Sequence, residues 1–251
     1  MTEKQWKYFC DFKDDFKQKV AEWKSAAPEL TQLQREAARL ARTPDYPFET
    51  SVVYNRSLDD ITPKDEIKLI VIGDNPGKDE QLAKNNRYLV GQAGKIAEGY
   101  FRRNLELGVD FRKNVIILNK TPVHSAKTAQ LKTIAKQGGQ SVLQLIQESQ
   151  IWMAQKTAAL HAALETELWL VGYSELKEKG MFSLYRDTLK AACTAESAEV
   201  WNRVYVFQHF SMNRFTIDLD DFIKAQKKEN APLESNIHEL GVLHRNEIFG
   251  D

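Results

Sequence analysis

Residues 67–77 read IKLIVIGDNPG. The first part is a continuous apolar run rich in β-branched residues, the pattern of a strand covered on both faces. It ends in a Gly-Asp-Asn-Pro-Gly turn. A glycine turn followed by lysine invites a phosphate-binding P-loop, but three residues separate Gly73 from Gly77 and Asp79 follows Lys78. A P-loop needs one more residue between its glycines and a Ser or Thr after the lysine. The dinucleotide fingerprint G-x-G-x-x-G is absent as well. The turn therefore serves another purpose.

Three further runs of the same texture follow: NVIILN (114–119), ELWLVG (167–172) and RVYVFQH (203–209). Helical patterns separate them. Strands alternating with helices give a mainly parallel sheet with right-handed crossovers. The expected fold is a three-layer α/β/α sandwich with a four-stranded, mainly parallel central sheet. Residues 1–45 form a helical N-terminal extension expected to pack on the main domain. There Trp6, Phe9, Phe12, Phe16, Val20 and Trp23 recur at three- and four-residue steps, a stripe that packs into a core. Thr2 and Gln5 fit a capping box, Pro28 lies past the end, and a second short helix is expected over 31–40. Residues 46–66 read as an irregular connector opening a domain over 46–251. The last stretch, KKENAPLESNIHELGVLHRNEIFGD (227–251), is expected to be a polar tail, loosely ordered or docked on the surface.

No apolar run approaches the roughly 20 residues of a membrane helix, and MTEKQWKYFCDFKDDF has no apolar signal core. The expected setting is cytoplasmic, without membrane attachment, and the expected state is a monomer. The only two cysteines, Cys10 and Cys193, fit a reducing compartment and exclude a cluster held by four thiolates. The five histidines are scattered, so neither a metal nor a cofactor is expected. Basic and acidic residues balance at 35 each, which excludes a global basic surface for nucleic acid and leaves room for a local patch.

Ligands of open α/β sheets bind beyond the carboxyl ends of the strands. Here those ends carry Asp74, Asn75 and Pro76, then Asn119, then Gly172 and Tyr173, then His209, Phe210 and Ser211. A carboxylate, amides and an imidazole thus converge on one mouth, with no paired Ser or Cys nucleophile at these ends.

Four motifs in order, GDNPG (73–77), RYLVGQAGKI (87–96), NVIILNKTP (114–122) and HFSMN (209–213), resemble those of the uracil-DNA glycosylase superfamily. The resemblance covers roughly residues 67–217. The second motif looks like the Pro-Phe-Val-Gly-x-Ala-Gly segment of the bacterial and archaeal iron–sulfur branch. The chain lacks that branch's four cysteines, so no iron–sulfur cluster is expected. Phe210 stands where the superfamily's His-Pro-Ser motif has its proline, and Asn75 stands where the most active members have Asp.

The resemblance implies a monofunctional DNA glycosylase that flips uracil out of the DNA stack and hydrolyses its N-glycosidic bond, for base excision repair. Tyr88 is then the flat wall against the base, with an ordinary surface or core tyrosine as the alternative, and Gly91 lets the backbone approach the base. Asn119 reads the base edge, because an amide carries both a donor and an acceptor; a plain loop-capping Asn is the alternative. His209 donates to the charge that develops on the leaving base, and Ser211 completes its motif. Asn75 positions the water, with Asp74 as the alternative and as a source of negative charge near the cationic sugar. Gly73, Pro76 and Gly77 shape the turn.

From Arg112 through Gln147 the chain has no acidic residue. Lys120, Ser125, Lys127 and Thr128 are read there as DNA-backbone contacts, with a solvated charged face as the alternative for any one lysine. Phe210, Met212 and Arg214 are candidates to enter the gap left by the flipped base. Two rival functions remain open. One is excision of another deaminated or mismatched base, such as hypoxanthine or xanthine. The other is a catalytically silent nucleic-acid-binding homologue.

Overall fold

A computed structural model describes residues 1–250. The four apolar runs form strands β1 (Leu69–Gly73), β2 (Val115–Asn119), β3 (Glu167–Val171) and β4 (Val204–Phe207). They pair in the order β2-β1-β3-β4, and every pairing is parallel. All five residues of β1 and of β2 are buried, as continuous apolar strands between two helical layers should be. The chain leaves β1 toward β2 on one side and returns to β3 on the other. That reversal opens a crevice at the carboxyl ends of β1 and β3.

Among the described residues, nine α-helices accompany the sheet: α1 (Glu3–Ala26), α2 (Leu30–Leu40), α3 (Gln92–Arg103), α4 (Gln130–Gln137), α5 (Gly139–Leu164), α6 (Ser183–Glu196), α7 (Ala198–Asn202), α8 (Arg214–Gln226) and α9 (Leu233–Phe249). One packed group contains α1, α2 and α4 to α7, and another contains α8 and α9, with α9 lying on β4. Trp169 of β3 anchors a buried aromatic cluster. Phe215 of α8 stacks on it at 5.8 Å, and Phe101 of α3 lies at 5.6 Å.

The first helix begins where its sequence says. Gln5 N–H donates to Thr2 Oγ1 at 3.2 Å, and Thr2 N–H donates to the Gln5 side chain at 2.9 Å. Its stripe of Phe9, Phe12, Phe16, Val20 and Trp23 is buried. Phe12, Phe16 and Trp23 surround Trp152 of α5. Each such ring contributes roughly 1.5–3 kcal/mol by leaving water. These residues share one hydrophobic cluster with the sheet.

The end of the chain corrects the expectation of a loose polar tail. Residues 233–249 form α9, with Ile237, Leu240, His244 and Ile248 buried along one face. No helix among the described residues is long and apolar enough to cross a membrane.

Candidate functional site

A cavity of about 740 Å³ opens at the carboxyl ends of the strands. That volume is in the range of small-molecule and cofactor sites. Gly73, Asp74, Asn75, Gly91, Asn119, Ser125, Lys127, His209, Ser211 and Met212 all line it. Four separate sequence segments are thereby brought to one mouth.

Asn119 closes β2 with its side chain buried, and its Nδ2 has no hydrogen-bond partner. A buried donor without a partner costs about 1–3 kcal/mol, and Asn119 carries it in the wall of the cavity. Gly73, its neighbour in register on β1, makes the room: a Cβ there would lie 2.6 Å from Asn119 Oδ1.

His209 follows β4. Its Nδ1 accepts the backbone N–H of Ser211 at 3.1 Å, with Ser211 Oγ at 2.9 Å from the same nitrogen. A backbone N–H can only donate, so Nδ1 is the lone-pair nitrogen and the neutral ring carries its proton on Nε2. Burial lowers the imidazole pKa below its ordinary value; Asp74 opposes this and Lys120 reinforces it. The result is a neutral N–H donor held by its own turn.

Asn75 is also fixed by its neighbours. Its Nδ2 donates to Ser125 O at 3.1 Å, Ser125 Oγ at 2.9 Å and Pro76 O at 3.2 Å. The amide nitrogen is fully used, and Oδ1 remains to accept from a water. Ser125 is buried, its backbone N–H donates to Pro76 O, and its hydroxyl donates to Lys127 O. The expected phosphate contact from Ser125 is therefore corrected: its hydroxyl proton is used inside the loop, and its role is to hold Asn75.

Lys120 is the largest correction. Its side chain is fully buried, so it cannot meet a phosphate. Nζ pairs with Asp74 Oδ1 at 2.5 Å, donates to Val171 O at 2.6 Å and lies 5.3 Å from the Phe182 ring centre. Burial pushes the ammonium pKa down, and Asp74 pushes it back up. Lys120 thus staples the ends of β2, β1 and β3. Gly172 at the end of β3 permits this: its φ is +86°, and a Cβ there would lie 2.7 Å from Asp74 Oδ1. Thr128 donates to Asp74 Oδ2 at 3.3 Å, which removes it from the phosphate donors too. The charge of Asp74 is largely compensated.

Tyr88 does not line the mouth. It is fully buried, and its hydroxyl donates to Val53 O at 2.5 Å. The expected flat wall is corrected to a core residue, and no Phe, Tyr or Trp ring lines the cavity among the described residues. Pro76 is buried behind the turn and acts through its carbonyl rather than by touching a base. Gly91 is the N-cap of α3 with ordinary extended backbone. Phe210 is buried between Phe111 and Phe215 and cannot enter a base stack. Met212, in contrast, is 73% exposed at φ 54°, a strained setting for its residue type. Arg214 is exposed at the start of α8 and does not line the cavity.

The basic stretch does not form one patch. Arg112 pairs with Glu98 at 3.0 Å, and Lys113 faces Asp110 at 3.9 Å. Lys127 is exposed at the lip.

Two residues of the site escape sequence reasoning. Glu80 is buried at the mouth and accepts Gly77 N–H at 3.1 Å and Leu89 N–H at 2.9 Å. It ties the GDNPG turn to the 87–96 segment. Burial raises its carboxyl pKa to about 7, against those two hydrogen bonds. His124 is buried below the turn, and its Nδ1 lies 2.8 Å from Pro76 O. That carbonyl can only accept, so Nδ1 carries the proton and Nε2 accepts from Tyr46 OH at 3.0 Å. Burial lowers its pKa to about 4. A lone Glu and a lone His inside polar loops give no periodicity signal; only the tertiary fold buries them.

One group among the described residues could hold a metal ion. The ligand atoms of Glu167, Glu234 and His238 lie within 4.8 Å of one another at the start of β3, the opposite end of the sheet from the mouth. His238 Nε2 already pairs with Glu167 Oε1 at 2.7 Å. Comparison with protein-family models, curated proteins and solved structures finds no significant match to this chain.

Proposed function

We propose that the mouth is the active site of a DNA glycosylase that removes uracil from DNA by base flipping, of the uracil-DNA glycosylase type. The observation that carries this reading is the pairing of an unpartnered, buried Asn119 amide with a neutral His209 donor across one cavity. Uracil presents an acceptor at O4 beside the donor N3–H, which an amide can match in one orientation. Cleavage of the glycosidic bond leaves negative charge on the base, and a preorganised neutral N–H meets it without bringing an opposing charge. Asn75 Oδ1 orients the attacking water. The sugar reacts through a cation-like state, so an amide that aligns water suffices in place of a strong base. With Tyr88 in the core, the base rests against Leu89 and Ala93 instead of a ring. Met212 is the wedge.

The test is excision from single-stranded oligonucleotides carrying one uracil, hypoxanthine or xanthine, with alkali cleavage of abasic sites. Product from uracil supports the reading. Product from hypoxanthine alone replaces uracil with a purine substrate.

A second reading is a catalytically silent nucleic-acid-binding homologue. It is favoured by the Asp74–Lys120 pair, which takes away most of the negative charge that would face the sugar. Binding to uracil-containing DNA without abasic product would support it.

A further inference from the structure

We propose that the groove between α2 and residues 43–48 binds the single-stranded DNA that flanks the target nucleotide, with Tyr46 and Phe48 stacking on bases and Arg35 and Lys78 holding phosphates. The proposal rests on reading the mouth as a nucleic-acid site, and it gives the N-terminal segment a function.

The groove has a volume of about 430 Å³ and is lined by Arg35, Thr43, Tyr46 and Phe48 among others. The Tyr46 and Phe48 rings lie 4.2 Å apart at 33°. The Arg35 guanidinium sits 5.6 Å from the Phe48 ring centre, and the Lys78 ammonium sits 5.9 Å from that of Tyr46. A ring pair flanked on each side by a cation offers what a single strand needs: each base has a flat face to stack and each linkage a negative charge to meet.

Lys78 links the groove to the mouth: it lines the cavity while lying over Tyr46. Both rings stand edge-on to His124, at 5.7 Å and 6.0 Å. Tyr46 OH donates to His124, which donates to Pro76 of the turn. Gln81 Nε2 donates to Pro47 O at 2.6 Å, and its Oε1 accepts Glu49 N–H at 2.7 Å. The rings are therefore held in register with the GDNPG turn.

Charge favours the same occupant. Arg35 and Lys78 have no carboxylate partner among the described residues, whereas Arg39 is held by Glu36 at 2.7 and 2.6 Å. Asp45 is the one acidic residue lining the groove.

The experiment measures fluorescence anisotropy of labelled oligothymidylates of about four and about twelve nucleotides, lengths that bracket the footprint of single-strand sites. These probes carry no uracil, so binding is read apart from excision. The wild type should bind the longer probe at least tenfold more tightly. Arg35→Glu and Phe48→Ala should each weaken the longer probe by roughly fivefold or more and leave the shorter one unchanged. Arg35 is exposed on its helix, so its reversal leaves the core intact and covers the case in which Phe48→Ala fails to fold. Equal binding of the longer probe by wild type and Arg35→Glu would overturn the proposal. Variant-sensitive binding without uracil excision would support the groove and remove the glycosylase reading; excision with variant-insensitive binding would do the reverse.

Discussion

Lys120 shows how a single residue changes meaning between sequence and structure. In the sequence it opens a basic, acid-free loop after β2; in the fold it is a buried staple between Asp74 and Val171 O. Removing one partner of a buried ion pair costs roughly 3–5 kcal/mol, so Lys120→Met should lower stability by about that amount in urea unfolding. It should leave the salt dependence of DNA binding unchanged. Lys127→Ala should do the opposite, with stability kept and the slope of log affinity against log salt reduced by about one. A Lys120 variant that altered the slope would return it to the DNA interface. Tyr88→Phe should lose about 1 kcal/mol through its bond to Val53 O and leave excision intact. Asn119 and His209 were legible because strand ends place their own last residues at the mouth. Tyr88 and Lys120 were not, because burial depends on partners far along the chain.

At the scale of the element, two loops build the mouth, and Glu80 joins them. Its carboxyl moves from an ordinary 4.5 to about 7 on folding. The folded protein therefore holds this proton more tightly than the unfolded chain does, and stability from this group falls as pH rises from about 4.5 to 7. Above that window the loss is on the order of 3 kcal/mol, at about 1.4 kcal/mol per pH unit. Glutamine cannot ionise, so the stability of Glu80→Gln relative to wild type should improve by about that much between pH 4.5 and 7.5. Urea unfolding at several pH values measures it, and a constant difference would contradict the buried ionised carboxylate. Strands and the first helix were legible at this scale from periodicity and capping. The tie between the loops was not, since it consists of one side chain accepting two backbone donors.

For the whole molecule, the parallel order β2-β1-β3-β4 sets the crevice, and the N-terminal helices share the sheet's core. The α/β class followed from four apolar runs separated by helices. Helix α9 was also written in the chain, at Leu233, Ile237, Leu240, His244 and Ile248, but its polar neighbours masked the stripe. Burial also fixes the acid response. His124 and His161 are held neutral, each with its pKa lowered to about 4 from 6.5. The unfolded chain binds protons there first, so stability from both is complete above about 6.5 and is lost as pH falls toward 4. The melting temperature should drop across that window, and Glu80 offsets part of the fall. A flat melting curve from pH 6.5 to 4 would mean that the two imidazoles reach water.

The most direct test of the proposed mouth is single-turnover excision on a single-stranded oligonucleotide with one uracil, comparing wild type with His209→Ala and Asn119→Ala. The wild type should give abasic product, and each variant should fall by about tenfold or more, with the loss of a preorganised donor able to reach about 100-fold. No product from the folded wild type, or variants as fast as the wild type, would contradict it.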